Sequence, residues 1–152
     1  MSIDVDGWLA EERLTHSIIG AFFHVYNTLG FGFLEHVYAA ALERELIRRG
    51  LTVSRERSVR IYYEGVELCQ QRLDFVVDEK VVVEIKSTFE LHRSAARQLR
   101  SYLRATNLEV GLLFHFGPEA KFYRLSGPND RKVHQAAEVL TDKDKNESGS
   151  RE

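Results

Sequence analysis

Cysteine is almost missing from this sequence: Cys69 is the only one in 152 residues. A lone thiol excludes an internal disulfide, a multi-cysteine zinc site and a cysteine-ligated iron–sulfur cluster. A reducing, cytoplasmic setting is the simplest expectation. No apolar run approaches the roughly 18 residues that would suggest a membrane span, so no membrane partner is expected. Met1-Ser2-Ile3-Asp4-Val5-Asp6 is acidic and has no apolar core, so no secretory signal is expected either. Nor does one sign of charge dominate. The formal net charge is −2, and no global positive field points to nucleic acid. Distribution matters more than the total, because fifteen of the 21 basic residues are arginine and several fall close together.

What is present is the balance of an ordinary globular protein, 43% hydrophobic and 29% charged, in a length that suits one core. Leu9, Leu14, Ile18, Phe22, Val25, Tyr26 and Leu29 repeat at helical spacing and predict a helix over 8–29. Gly30-Phe31-Gly32 interrupts it, and a second helix is expected over 33–49, stopped by Gly50. The period then changes. Thr52 to Tyr63 and Val66 to Val77 read as strands joined by Glu64-Gly65, a hairpin signal. Val81 to Ser87 reads as a central strand, His92 to Thr106 as a helix, and 109–116 and 120–125 as two further strands around a Gly117-Pro118 turn. This order predicts an α/β fold with a mixed β-sheet flanked by helices. One domain is expected over 1–140. From Thr141 to Glu152 nothing can bury apolar surface, so 141–152 is expected to be a disordered tail.

Alternation along the strands carries the first chemical signal. Glu84 and Lys86 point one way, Val83 and Ile85 the other. On the preceding strand Asp74 shares a face with Val76, opposite Leu73, Phe75 and Val77. If Asp78-Glu79-Lys80 forms the loop, Val77 pairs with Val81 and Asp74 lies across from Glu84. A two-residue loop would put Asp74 on the wrong face, so register is a sharp test. Two carboxylates and an ammonium in the most apolar part of a sheet are costly without a purpose. A half-buried salt bridge between Lys86 and either acid is one reading. The other is chemical: carboxylates suit hard cations such as Mg²⁺ or Mn²⁺, and a nearby lysine can position water or steady charge on a phosphoryl oxygen.

Glu35 falls on the helical stripe of Ala39, Leu42 and Leu46, flanked by Tyr38, so it is expected to face the core. The alternative is a first-turn acid stabilised by the helix dipole. Gly32 just before it would allow a tight turn or a close approach. On the helix 92–106, Arg93, Arg97, Arg100 and Arg104 form one stripe, with no acid between Glu90 and Glu109 to pair with them. Phosphate contact along a nucleic-acid strand is the functional reading, a solvated basic face the bland one. Gln98 and Tyr102 lie on the flank away from the arginines. The six histidines lack metal-binding spacing and read as surface or core-edge residues. His92, near the start of the motif helix, is a candidate to approach the site.

Taken together, these residues carry a family resemblance. Gly32-Phe33-Leu34-Glu35-His36-Val37-Tyr38 resembles the motif that names the GxxExxY protein family, a branch of the PD-(D/E)xK nuclease superfamily. Asp74 followed by Glu84-Ile85-Lys86 matches that superfamily's core motif. Gln98-Leu99-Arg100-Ser101-Tyr102 resembles the QxxxY motif of RecB-like nucleases. The four motifs occur in order on helix, strand, strand and helix, and the resemblance spans roughly residues 10–125. Two departures stand out: Leu73 replaces the proline of PD, and the cluster-binding cysteines of some RecB-like nucleases are absent.

The resemblance implies a restriction-endonuclease-like core and a metal-dependent phosphodiesterase acting on nucleic acid, DNA before RNA. Asp74, Glu84 and Glu35 would hold Mg²⁺ or Mn²⁺, helped by the Ile85 carbonyl. Lys86 would orient water or steady the oxyanion, and Gln98 would fix the lysine or the substrate. Gly32, Tyr38 and Tyr102 would support the site. The rival is a non-catalytic nucleic-acid-binding or regulatory protein that keeps the fold. A homodimer is left open as an assembly state.

Overall fold

The structure is a computed structural model that describes residues 5–126 and 137–139, with side chains from Glu11 to Ser126. The expected disordered tail lies outside the described residues. Helix α1 spans Val5–Leu29 and α2 spans Glu35–Arg48. Strands β1 (Val53–Tyr63), β2 (Val66–Val77) and β3 (Val81–Lys86) follow, then α3 (Ser94–Ala105). The last elements are β4 (Val110–Phe116), β5 (Ala120–Ser126) and β6 (Ala137–Val139). All six strands form one sheet in the order β5-β4-β3-β2-β1-β6. Only the β3–β4 pair is parallel, so the sheet is mixed, and α3 supplies the crossover that a parallel pair requires.

Turn chemistry sets the antiparallel registers. Glu64 and Gly65 have φ of 48° and 79°, the two positive values of a type I′ hairpin, and Tyr63 pairs with Val66 across them. Asp78 and Glu79 also take positive φ, at 50° and 55°, and Lys80 N–H returns to the Val77 carbonyl at 3.0 Å. That loop pairs Val77 with Val81, the register that brings Asp74 opposite Glu84.

Helices cover both faces of the sheet. On one face α1 and α2 pack on Phe75, Val77, Val81, Val83, Ile85, Leu112, Phe114 and Phe116. Phe22 stacks on Phe114 with centroids 4.4 Å apart, and Tyr38 stacks on Phe116 at 4.2 Å. On the other face α3 buries Ala95, Leu99, Tyr102 and Leu103 against Val76, Val82 and Leu113. A Cβ at Gly111 would stand 2.9 Å from Leu99 Cδ1, so the missing side chain lets α3 lie close to β4.

One expectation from strand alternation needs correction. Leu73 packs with Val76 and Val82 on the α3 face, and not with Phe75 and Val77. The alternation is interrupted around Asp74. Opposite that residue, between the Arg55–Phe75 and Arg57–Leu73 pairs, Glu56 takes a φ of 50°, a left-handed kink that re-aims the strand pair.

Candidate active site

The β2–β3 ladder stops at Phe75 and Val83. One residue further along each strand, the side chains take over from the backbone. Asp74 N–H donates to Glu84 Oε1 at 3.2 Å, and Ile85 N–H donates to Asp74 Oδ2 at 2.9 Å. The two acids therefore sit where the strands part. Glu84 is only 4% exposed. Burial, then the neighbouring Asp74 carboxylate, pushes its carboxyl up to about 9, so alone it keeps its proton at neutral pH. Tyr102, reaching over from α3, is pushed up to about 12 by burial and then by Glu84 and Asp74, with the Gln98 side chain opposing through a hydrogen bond.

Lys86 is half-buried and felt electrostatically by both Glu84 and Glu35. No carboxylate among the described residues lies within ion-pair distance of its ammonium. The salt-bridge reading of this trio is therefore not what the fold builds. The acid pair is left without a direct cationic partner.

On the other side of Asp74 a cavity of about 170 Å³ opens, lined by Glu35, His36, Ala39, Arg55, Glu56, Asp74, Phe75 and Ile85. Tyr38, Ala39, Leu42 and Leu46 of α2 are buried as the stripe predicts, but Glu35 itself is exposed at the cavity mouth. The expectation that it faces the core is corrected, because α2 begins at this residue and its first turn lies beside the cavity where the β2–β3 ladder ends. Its carboxyl is nonetheless raised, first by desolvation, then by Asp74, with Lys86 opposing. Stabilisation by the helix dipole alone would lower it.

Glu35, Asp74 and Glu84 are the candidate ligand set, and Glu35 and Asp74 share the wall of this cavity. Among the described residues no three Asp, Glu, His or Cys side chains are close enough to hold a metal as they stand. The Asp74 and Glu84 oxygens are turned onto strand N–H groups, and repulsion between like charges discourages a third acid from closing in.

The loop before α2 explains the residue types around Glu35. Gly32 has a φ of 118° with nothing near its missing Cβ, so conformation, not space, demands glycine there. Tyr38 is fully buried. Its hydroxyl donates to the Gly30 carbonyl at 2.5 Å and accepts from Phe33 N–H at 3.2 Å, tying down the segment that presents Glu35. Arg93, which precedes α3, and Arg97, Arg100 and Arg104 on it are all exposed, and none pairs with an acid among the described residues. Gln98 is exposed and Tyr102 buried.

A family model described as the PD-(D/E)XK nuclease superfamily matches residues 12–125. The chain belongs to this superfamily. Members of the PD-(D/E)XK nucleases generally use divalent metals such as Mg²⁺, and the mixed sheet between helices is their fold. A crystal structure of SSO0001 is similar at a TM-score of 0.51 and 23% identity. That match covers 63% of this chain and 52% of the other, and it speaks for the fold alone. No curated protein matches the sequence significantly.

Some residues at the candidate site of this PD-(D/E)XK chain escaped the sequence reading. Arg55 and Glu56 line the cavity from β1, Arg55 pairing with Glu43 at 3.1 Å and lying over the Phe75 ring. Their only sequence signal was being opposite Phe75 and Asp74 in register, and the kink at Glu56 left no mark on the strand pattern. His115, read as surface or core-edge, is buried, pairs with Lys86 across the ladder and bonds the Thr88 carbonyl at 2.8 Å. His92 instead holds the start of α3, its Nδ1 accepting from Ser94 N–H at 3.1 Å.

Among the described residues no helix is long and apolar enough to cross a membrane.

Proposed function

We propose that this chain is a metal-dependent nuclease that hydrolyses phosphodiester bonds in nucleic acid, DNA before RNA, in a reducing, cytoplasmic setting. The observation that carries the reading is the Asp74–Glu84 pair: a half-buried and a buried carboxyl group held together, with no side-chain cation in ion-pair contact among the described residues. Such a pair is unfavourable in itself, and hard oxygen donors beside a cavity suit Mg²⁺ or Mn²⁺. Asp74 and Glu84 would hold the ion, with Glu35 swinging in from the cavity mouth and the Ile85 carbonyl beside it. What a divalent cation supplies there is Lewis acidity toward the scissile phosphate and a lowered pKa for the attacking water.

The remaining steps belong to the chain's own groups. Lys86, free of a direct carboxylate partner, would orient the attacking water or offset charge on the phosphoryl oxygens. Gln98 would hold Lys86 or the substrate, and Tyr102 would shield Glu84. Arg93, Arg97, Arg100 and Arg104 would take phosphates along the strand. Gly32, Glu35 and Tyr38 support placing the chain in the GxxExxY branch, and Gln98 with Tyr102 in the RecB-like group. The test is cleavage of mixed DNA and RNA with Mg²⁺ and with Mn²⁺, wild type beside Asp74→Ala. Metal-dependent products from wild type alone support the reading.

A second reading, a nucleic-acid-binding or regulatory protein that keeps the fold, is favoured by one observation: the three acids are not preassembled as ligands. Binding with no turnover under either metal would establish it.

A further inference from the structure

Four large apolar side chains beside Glu35 and Lys86 are left in solvent: Phe31 at 44%, Phe33 at 46%, Leu34 at 70% and Phe89 at 73% exposure. Contiguous exposed apolar groups mark interaction surfaces. The backbone beneath them is fastened down. Ser87 Oγ donates to the Phe33 carbonyl at 2.7 Å, joining the α1–α2 loop to the β3–α3 loop, and Tyr38 holds the same segment from below. The Phe31 and Phe89 rings meet at 6.4 Å, tilted by 62°. Two loops are thus tied together with their rings outward. Leu34 adjoins Glu35 and Ser87 adjoins Lys86, so the patch borders the candidate active site. Past Phe89 come Arg93 and then α3 with Arg97, Arg100 and Arg104, none of which has an acid partner among the described residues.

We propose that Phe31 and Phe89 form a stacking platform for unpaired bases, and that the substrate is single-stranded nucleic acid. The inference rests on the nuclease reading and names its substrate class. Aromatic side chains stack on bases whose faces are open, and in a duplex those faces are buried in the base stack. The neighbouring charges fit the same occupant. Unpaired arginines suit a phosphate backbone, and a strand whose bases rest on Phe31 and Phe89 would carry its phosphates past Glu35 and Lys86.

The test is equilibrium binding by fluorescence anisotropy in chelator, where no cleavage competes. The probes are a mixed-sequence DNA strand, its blunt duplex, the same strand made abasic, and the matching RNA strand. The strand should bind at least about tenfold more tightly than the duplex, and Phe89→Ala should weaken it on the order of tenfold. Phe89→Trp should restore binding, and the abasic strand should not distinguish wild type from Phe89→Ala. Equal binding of the DNA and RNA strands also supports the platform, because stacking ignores the sugar. Duplex bound as tightly as strand overturns the inference. So does unchanged strand binding by both Phe31→Ala and Phe89→Ala, with thermal melts verifying that each variant is folded. Selective strand binding without turnover when metal is restored would sink the nuclease reading and leave the platform standing. Cleavage of duplex with unselective binding would do the reverse.

Discussion

The backbone N–H of Asp74 donates to the Glu84 carboxyl at 3.2 Å, on neighbouring strands one residue beyond the end of their ladder. A partly desolvated acid pair with no ion-pair partner among the described residues should respond to any cation that reaches it. Millimolar Mg²⁺ or Mn²⁺ is expected to raise the melting temperature relative to chelator, by an amount that grows with metal concentration. Glu84→Gln should remove most of that shift while the protein remains folded. Thermal melts of both proteins across a metal titration are the check, and an unmoved midpoint for wild type would leave the pair inert.

The pH dependence without metal has a definite sign. Glu84 holds its proton up to about 9 in the folded state, against an ordinary 4.5. Between those values the folded chain binds more protons at this group than the unfolded chain does. Its contribution to stability is therefore full below about 4.5 and is lost as pH rises toward about 9. Urea midpoints in chelator should fall across that window, and Glu84→Gln should flatten the decline. A wild-type midpoint that rises with pH in step with the variant's would contradict the burial of an unpaired acid.

Lys86→Ala should separate chemistry from metal binding. Among the described residues no carboxylate is in direct ion-pair contact with this ammonium, so its loss should leave the fold intact. Cation affinity should hold or rise slightly as competing positive charge disappears. Single-turnover cleavage should fall by roughly 10²–10³-fold, the scale of removing one donor to a developing oxyanion. Calorimetric Mn²⁺ titration and cleavage on the same preparation decide the matter, and undiminished cleavage would remove Lys86 from the mechanism.

The exposed arginines of α3 make a salt prediction. Replacing Arg97 or Arg100 by glutamine should weaken strand binding and lower the slope of log affinity against log salt by about 0.7 per lost phosphate contact. Stability should stay within about 0.5 kcal/mol of wild type, since neither side chain is buried. A slope that does not change would mark the stripe as a merely solvated face.

Tyr38→Phe tests the anchor below the Glu35 loop. Losing the hydroxyl removes its bonds to the Gly30 carbonyl and the Phe33 N–H, which should cost about 0.5–1.5 kcal/mol in denaturant unfolding. Turnover should fall as well, because the segment that presents Glu35 would loosen.

Much of this arrangement was legible in the sequence for local reasons. Glu64-Gly65 and Asp78-Glu79-Lys80 set their registers by turn chemistry, and the β2–β3 register follows from the second of them. The helical stripe of α2 was legible too, because Tyr38, Ala39, Leu42 and Leu46 bury as their spacing requires. What was hidden depends on contacts distant in sequence. Glu35 shares the stripe of Leu42 but escapes burial, and nothing in a helical period says where the β2–β3 ladder beneath it ends. The kink at Glu56 sits inside an unbroken strand pattern, and it undoes the alternation that put Leu73 on the Phe75 face. Strand β6 pairs with β1 through only Ala137–Val139, too short a stretch to leave a periodic signal.

The ladder's early end has a consequence for how any ligand of Asp74 must bind. The Asp74 and Ile85 amides donate to carboxyl oxygens, where a continued ladder would have offered strand carbonyls. A ligand that takes those oxygens must compete with the two amides, so its observed affinity contains the loss of two hydrogen bonds, each worth about 0.5–1.5 kcal/mol. Hydrogen exchange at these two positions becomes a gauge of occupancy. It should quicken when the carboxyl groups turn away, even as the rest of the domain grows more resistant to opening.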